Sequence, residues 1–173
     1  EDNFLVDRKL QLYVVCDGMG GHRCGEVASA MAVNAIRDSI IESLDKLALA
    51  GISIPAERDA LGCELVETAI THANFRIYER AAMNPDQRGM GTTCTMLLAI
   101  GDRGYVGHVG DSRLYRSRGG GVEQITEDHS LYHEMMRAGQ TMPMGQDLAA
   151  LQNAITRALG VHDSVQVDTA VAV

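Results

Sequence analysis

The stretch Leu12-Tyr13-Val14-Val15-Cys16-Asp17-Gly18-Met19-Gly20-Gly21-His22 decides how the chain is read. Its first half is apolar and rich in β-branched residues, the composition of a buried strand. The run stops at a carboxylate, followed by three glycines within four residues. Glycine permits positive φ and lets backbone approach a ligand closely. Asp17 is therefore expected at a strand end, facing an opening that backbone groups also reach. A carboxylate beside an exposed carbonyl is a hard-oxygen site, which suits magnesium or manganese. Two other strand–loop–helix sites fit less well. The spacing is not Gly-x-Gly-x-x-Gly, and no Gly-Lys-Ser/Thr follows to make a phosphate loop. An ordinary strand-to-helix turn stays open on this stretch alone.

Composition narrows the class. At 173 residues with 46% hydrophobic content, the chain amounts to one domain with a real core. A net charge of −8 without any basic cluster argues against nucleic acid or an anionic membrane as the main partner. Cys16, Cys24, Cys63 and Cys94 show no Cys-x-x-Cys spacing, so neither zinc nor a disulfide framework is expected. A reducing, cytoplasmic setting follows from that usage. No signal peptide or apolar run of about 18 residues is present, so no membrane segment is expected in this chain.

Outward from the central stretch, Glu1 to Val6 reads as a short strand, and a polar turn at Asp7-Arg8-Lys9 closes a hairpin. That hairpin brings Asp2 and Asp17 to the same end of a sheet, unless Glu1 and Asp2 are only frayed terminal charges. Helical periodicity runs from Gly25 to about Leu44, with Val27, Met31, Ala35, Ile36 and Ile40 on one stripe. Residues Ala50 to Glu57 read as a connection. A second helix is expected from about Ala60 to Met83, its stripe formed by Leu61, Leu65, Ala69, Ala73, Ile77 and Ala81. His72 lies on it as a structural or solvated residue. Strands at Cys94–Ile100, Tyr105–Val109, Leu114–Ser117 and Val122–Ile125 suggest an antiparallel meander. A short helix at 131–138, an aperiodic segment at 139–150 and a strand at 165–173 complete the reading. Asp or Ser in Thr126-Glu127-Asp128-His129-Ser130 is expected to cap the short helix, with His129 packing on a strand.

The motifs Glu1-Asp2-Asn3-Phe4, Asp17-Gly18-Met19-Gly20-Gly21-His22, Gly91-Thr92-Thr93, Gly110-Asp111-Ser112-Arg113, Thr126 to Ser130 and Ile155 to Gly160 occur in this order. Together they resemble the metal-dependent protein phosphatases of the PPM class (protein phosphatase type 2C) in their bacterial form. The resemblance implies an α+β fold, an α-β-β-α sandwich of two antiparallel sheets flanked by helices, with 1–173 as a partial domain. It also implies a mobile flap at about 130–153. The function it implies is hydrolysis of phosphoserine and phosphothreonine on proteins, substrates of a Ser/Thr kinase, through a metal-activated water. Two Mn²⁺ or Mg²⁺ ions would bind at Asp17, the Gly18 carbonyl, Asp2 and Glu1, with Asp17 bridging them as the central catalytic carboxylate. Asp111 is either a ligand of a third, weaker ion or an ordinary turn residue. Bound cations would reconcile an acidic protein with phosphorylated substrates. Animal members carry a histidine where this chain has Met19, and His22 is not assigned that role.

In that class, two further acidic ligands lie beyond the last strand of this sequence, and a phosphate-binding arginine lies upstream of Glu1. The chain is accordingly expected to be a fragment, weak or inactive by itself, with a sheet edge open to self-association. The rival readings are a catalytically silent domain that binds phosphoprotein or a partner, and one module of a longer sensor or secretion protein.

Overall fold

The computed structural model describes residues 1–20, 24–49, 54–140 and 147–172, with 44–49 as backbone only. In chain order it places β1 (Asn3–Asp7), β2 (Leu12–Cys16), β3 (Gly18–Met19), α1 (Cys24–Leu49) and α2 (Pro55–Met83). A single 3₁₀ turn at Pro85–Gln87 leads to β4 (Gly91–Thr92), β5 (Cys94–Ile100) and β6 (Arg103–Val109). Then come β7 (Tyr115–Arg118), β8 (Gly121–Gln124), α3 (Leu131–Arg137), α4 (Leu148–Asn153) and β9 (Asp168–Ala172).

Five strands form one antiparallel sheet in the order β1-β2-β5-β6-β9. Strand alternation sorts its faces. Leu12, Val14, Cys16, Cys94, Met96, Leu98 and Tyr105 point one way and are fully buried. Both long helices cover that face: α1 packs on β1 and β2, α2 on β5, β6 and β9, and each on the other. Small residues permit the close approach. Ala28, Ala32 and Ala35 on α1 and Ala69 and Ala73 on α2 are buried beside Ile36, Ile40, Ile70 and Ile77. On the opposite face, Phe4, Val6 and Val15 are exposed by 74%, 53% and 50%, too much for a finished core. They line a groove of about 460 Å³ together with Leu114 and Tyr115.

The helical stripes hold, with shifted edges. Val27 and Met31 are only half-buried, and Ala28 and Ala32 take the inward positions. The side chain of Leu44 lies outside the described residues. The expected connection over 50–57 ends early, because Pro55 opens α2 at its first turn, where a missing N–H costs nothing. His72 is exposed.

The meander is interrupted. β7 and β8 do not continue from β6 but pair only with each other, because Gly110 at φ 112° turns the chain away. β9 takes the place beside β6, and it begins at Asp168 rather than Val165. Of the expected flap, α3 and α4 pack on each other, and residues 141–146 lie outside the described residues. Its base is pinned: Ser130 bridges Ile155, and the Leu131 N–H donates to the Ala154 carbonyl at 2.9 Å.

One glycine sets the spacing of α2 on the sheet. A β-carbon at Gly62 would overlap the ring of Tyr105, which is buried and donates its hydroxyl to Asp59 at 3.2 Å. Helix propensity favours Ala over Gly by about 1 kcal/mol. Overpacking a core costs about 1–3 kcal/mol. Packing should win: Gly62→Ala is expected to lower the stability by about 1 kcal/mol in a denaturant melt. Gly62→Ala as stable as wild type would mean that α2 can shift off the sheet freely.

Candidate functional site

The site grows from the ends of β1 and β2. Their ladder pairs Asn3 with Cys16, so the next residues outward, Asp2 and Asp17, face each other across the same strand end. The two carboxyl groups are close enough for Asp2 to favour the protonated form of Asp17. Burial, that contact with Asp2 and the charges of Asp2 and Asp111 together push the Asp17 pKa above the ordinary carboxylate range. Three carboxylates thus converge electrostatically at one point, although Asp111 follows β6, about a hundred residues further along the chain.

What holds Asp17 there is its own backbone. Its N–H donates to Thr93 Oγ1 at 3.0 Å, and its carbonyl accepts from the Thr93 N–H at 2.9 Å and Thr92 Oγ1 at 3.0 Å. The same two threonines reach the other motifs. Thr93 Oγ1, which accepts from Asp17, also shares a hydrogen bond with Ser112 Oγ, 3.0 Å away. Thr92 and Leu159 exchange backbone hydrogen bonds at 3.1 and 2.8 Å. Gly160 is fastened to α2 through the buried Asn74, whose side-chain oxygen accepts the Gly160 N–H at 2.8 Å. The Gly-Thr-Thr run is the hub on which the Asp-Gly, Gly-Asp-Ser-Arg and Ile155–Gly160 segments meet.

Glu1 and Gly18 approach from the side of α1. Gly18 pairs with Thr92 and lies against Gly25 in the first turn of α1. A β-carbon at Gly25 would sit 2.7 Å from Glu1 Oε2 and 2.8 Å from the Gly18 oxygen. The absence of a side chain at Gly25 therefore leaves room for both oxygens. Ser29 anchors this terminus, donating to the Glu1 carbonyl at 2.6 Å and accepting from Asn3 Nδ2 at 2.8 Å. Asn3, Thr92 and Thr93 enter the sequence reading only as members of motifs, with no role of their own, and Ser29 and Asn74 do not enter it. A polar residue on an apolar stripe, as Ser29 and Asn74 are, was the available signal. His22 and Gly21 lie outside the described residues.

Among the described residues, no three His, Cys, Asp or Glu side chains close into a cation cage. The oxygens that could hold a cation form an open set: the Asp2–Asp17 pair, Glu1 and the Gly18 carbonyl, with the charge of Asp111 acting on Asp17. Such a set fits a hydrated hard cation, which binds through a few carboxylates and keeps several waters.

Asp128 and His129 turn to different partners. Asp128 is buried and forks onto Arg113, with Nε–Oδ1 at 2.9 Å, which joins two of the motifs. Burial pushes its pKa up, but the guanidinium prevails and holds it below the usual range. Ser130, not Asp128, caps α3. His129 packs on the sheet as expected, with Nε2 3.1 Å from Asp168 on β9. Cys16 and Cys94 are fully buried, and contact with Cys16 together with burial pushes the Cys94 pKa well up, so neither thiol is placed to act as a nucleophile.

Comparison with known proteins agrees with this assembly. A family profile described as Protein phosphatase 2C matches residues 1–156. The "Serine/threonine phosphatase stp" of Listeria innocua is 36% identical over 172 residues, covering 98% of this chain and 64% of its own length. The crystal structure of the Mycobacterium tuberculosis serine/threonine phosphatase PstP/Ppp superposes with a TM-score of 0.78 at 29% identity, over 99% of this chain and 66% of that one. A structure of the PstP catalytic domain in complex with 2 manganese ions gives a TM-score of 0.70 at 30% identity, over 99% and 64%. The chain thus spans less than two thirds of the length of the curated relatives it matches. Its α+β sandwich-type fold, its ordered motifs and its sequence place it together with these proteins. The chain belongs to the protein phosphatase 2C family.

Proposed function

We propose that this chain handles divalent cations, Mn²⁺ or Mg²⁺, in the hydrolysis of phosphoserine and phosphothreonine esters on proteins. Two ions would be held by Asp17, Asp2, Glu1 and the Gly18 carbonyl, with a third, weaker one at Asp111. The observation that carries the reading is the ladder register that sets Asp2 and Asp17 side by side at one strand end; partial desolvation, Asp2 and the charge of Asp111 all raise the proton affinity of Asp17. Two like charges about 4 Å apart repel by about 1 kcal/mol in water and about 4 kcal/mol near a protein surface. A cation relieves that repulsion without consuming the carboxylates. Bound divalent ions would supply Lewis-acid activation of water and neutralise charge on the phosphoryl oxygens.

The chain's own residues do the positioning. Thr92 and Thr93 fix the Asp17 peptide, so its carboxylate leaves the strand end in one direction. Gly18 and Gly25 clear the space in which the Gly18 oxygen and Glu1 come together. The manganese-containing PstP domain is consistent with this assignment. The α3–α4 segment, pinned at Ser130 and Ile155, is the candidate flap beside the site. No helix of the described residues is long and apolar enough to cross a membrane. β9 has β6 on one side and no second described neighbour, and that edge is where a second copy would pair.

Turnover is tested with Mn²⁺ and a phosphothreonine peptide. The chain is expected to release phosphate slowly and only with metal, and Asp17→Asn to abolish release while far-UV circular dichroism stays unchanged. Near-normal release by Asp17→Asn at saturating Mn²⁺ would remove Asp17 from the centre. Metal binding without any release would favour a silent phosphoprotein-binding module, the reading to which the open donor set also lends itself.

Stability gives an independent check. A carboxylate with a raised pKa makes the folded state bind more protons than the unfolded one between the ordinary and the raised value. Stability is then lost as pH rises through that window. Metal-free Asp17→Asn should therefore melt higher than wild type at pH 7, by about 1–2 °C once solvent screening is allowed for. The gap should close as pH falls toward about 4. Mn²⁺ should raise the Tm of wild type but not of the variant. A variant that melts lower than wild type at pH 7 would contradict the crowding of charge at this site.

A further inference from the structure

We propose that His129 is a positioning residue for Asp111, clamping the Gly110 peptide from which Asp111 projects; the inference rests on the reading of Asp111 as a cation ligand. His129 is a fully buried side chain whose ring packs on His108, with centroids 4.8 Å apart. It meets Gly110 twice. Its N–H donates to the Gly110 carbonyl at 2.7 Å, and its Nδ1 lies 3.0 Å from the Gly110 nitrogen. A backbone N–H can only donate, so Nδ1 is the acceptor and the ring proton sits on Nε2. Nε2 then donates to Asp168 Oδ2 at 3.1 Å. Burial lowers the His129 pKa, in keeping with a neutral ring that can accept at Nδ1. The His129 carbonyl in turn accepts from the Thr156 N–H at 2.9 Å.

Gly110 is the pivot between β6 and Asp111. Its φ of 112° lies where only glycine is at ease, and a β-carbon there would sit 2.6 Å from Thr93 Cβ. The chain on the other side of Asp111 is held too. Ser112 Oγ lies 3.0 Å from Thr93 Oγ1, and its carbonyl lies 3.0 Å from Thr95 Oγ1. Asp111 is thus suspended between two fixed points, one belonging to the Asp17 hub and the other to His129. A histidine that only filled the core would need no acceptor aimed at this peptide. Without the Nδ1 contact the His129 N–H would still hold the Gly110 carbonyl, but the Gly110 N–H would lose its acceptor and the chain entering Asp111 one of its two restraints.

Two substitutions separate the ends of the ring. His129→Asn puts its side-chain oxygen near the Nδ1 position and keeps the acceptor for Gly110. His129→Gln reaches toward Asp168 and loses that acceptor. The probe is Mn²⁺ itself, titrated into the chain and followed by paramagnetic broadening of the 110–112 amide signals, with Tm recorded for each variant. His129→Asn and Asp168→Asn should stay within about twofold of wild type, and His129→Gln should need roughly tenfold more Mn²⁺, the size expected when an outer-shell partner is lost. Equal behaviour of the Asn and Gln variants, at similar Tm, would overturn the positioning role. If His129→Gln does not fold, His129→Leu, which also lacks an acceptor for Gly110, is read in its place: a tenfold weaker curve than that of His129→Asn supports the role, and a matching curve overturns it. Asp111→Ala is the control on the underlying reading. An unchanged broadening curve in that variant would sink both the cation role of Asp111 and this inference. A weakened Asp111→Ala curve with matching Asn and Gln curves would sink the positioning role alone.

Discussion

The peptide of Asp17 makes three hydrogen bonds to Thr92 and Thr93, and the rest of the site is placed relative to it. A carboxylate at a strand end would ordinarily fray, since the ladder gives it no partner beyond the last pair. Here the short pairing of β3 with β4 continues the constraint past the end of β2. It does so with side-chain hydroxyls as well as backbone groups, which uses both the N–H and the carbonyl of Asp17. The cost of crowding acidic groups at this point falls on a backbone that cannot move away. A proton or a bound cation would offset that charge.

That rigidity depends on the layer beneath. Cys16 and Cys94, which flank the Asp17–Thr93 contact in sequence, are fully buried under α1 and α2. The helices come close because alanines line their facing stripes, and Gly62 admits the Tyr105 ring. Small residues serve here as spacers rather than as core volume. Larger ones would lift a helix and, with it, Ser29 and the Glu1–Asn3 segment that Ser29 holds.

The sequence made the local elements legible wherever one face was apolar. The β1–β2 hairpin and its consequence, Asp2 facing Asp17, followed from alternation and a polar turn, and the ladder register agrees. α2 was readable from its four-residue stripe, except at its start, where Pro55 belongs to the helix rather than to the loop. The meander was misread because strand propensity cannot report a change of partner. Gly110 looks like any turn glycine until its φ and the proximity of Thr93 are known. The threonine hub was missed for a related reason. Thr92 and Thr93 act through contacts spanning 75 and 76 residues of sequence, and periodicity carries no information at that range.

The acidic groups of the site also differ in how firmly they are held. Asp17 is fixed by backbone bonds on both sides of its peptide, and Asp2 adjoins a ladder pair and the Asn3–Ser29 contact. Asp111 has no ladder of its own; only its neighbours Gly110 and Ser112 are tied down. Ligand precision comes from the elements that carry the ligand and from the shell that locks them. With Asp17 held through its own peptide and Asp111 only through its neighbours, a cation between Asp2 and Asp17 would be held more firmly than one at Asp111. The difference in affinity would then come from the number of backbone constraints on each carboxylate, since all three offer the same chemistry.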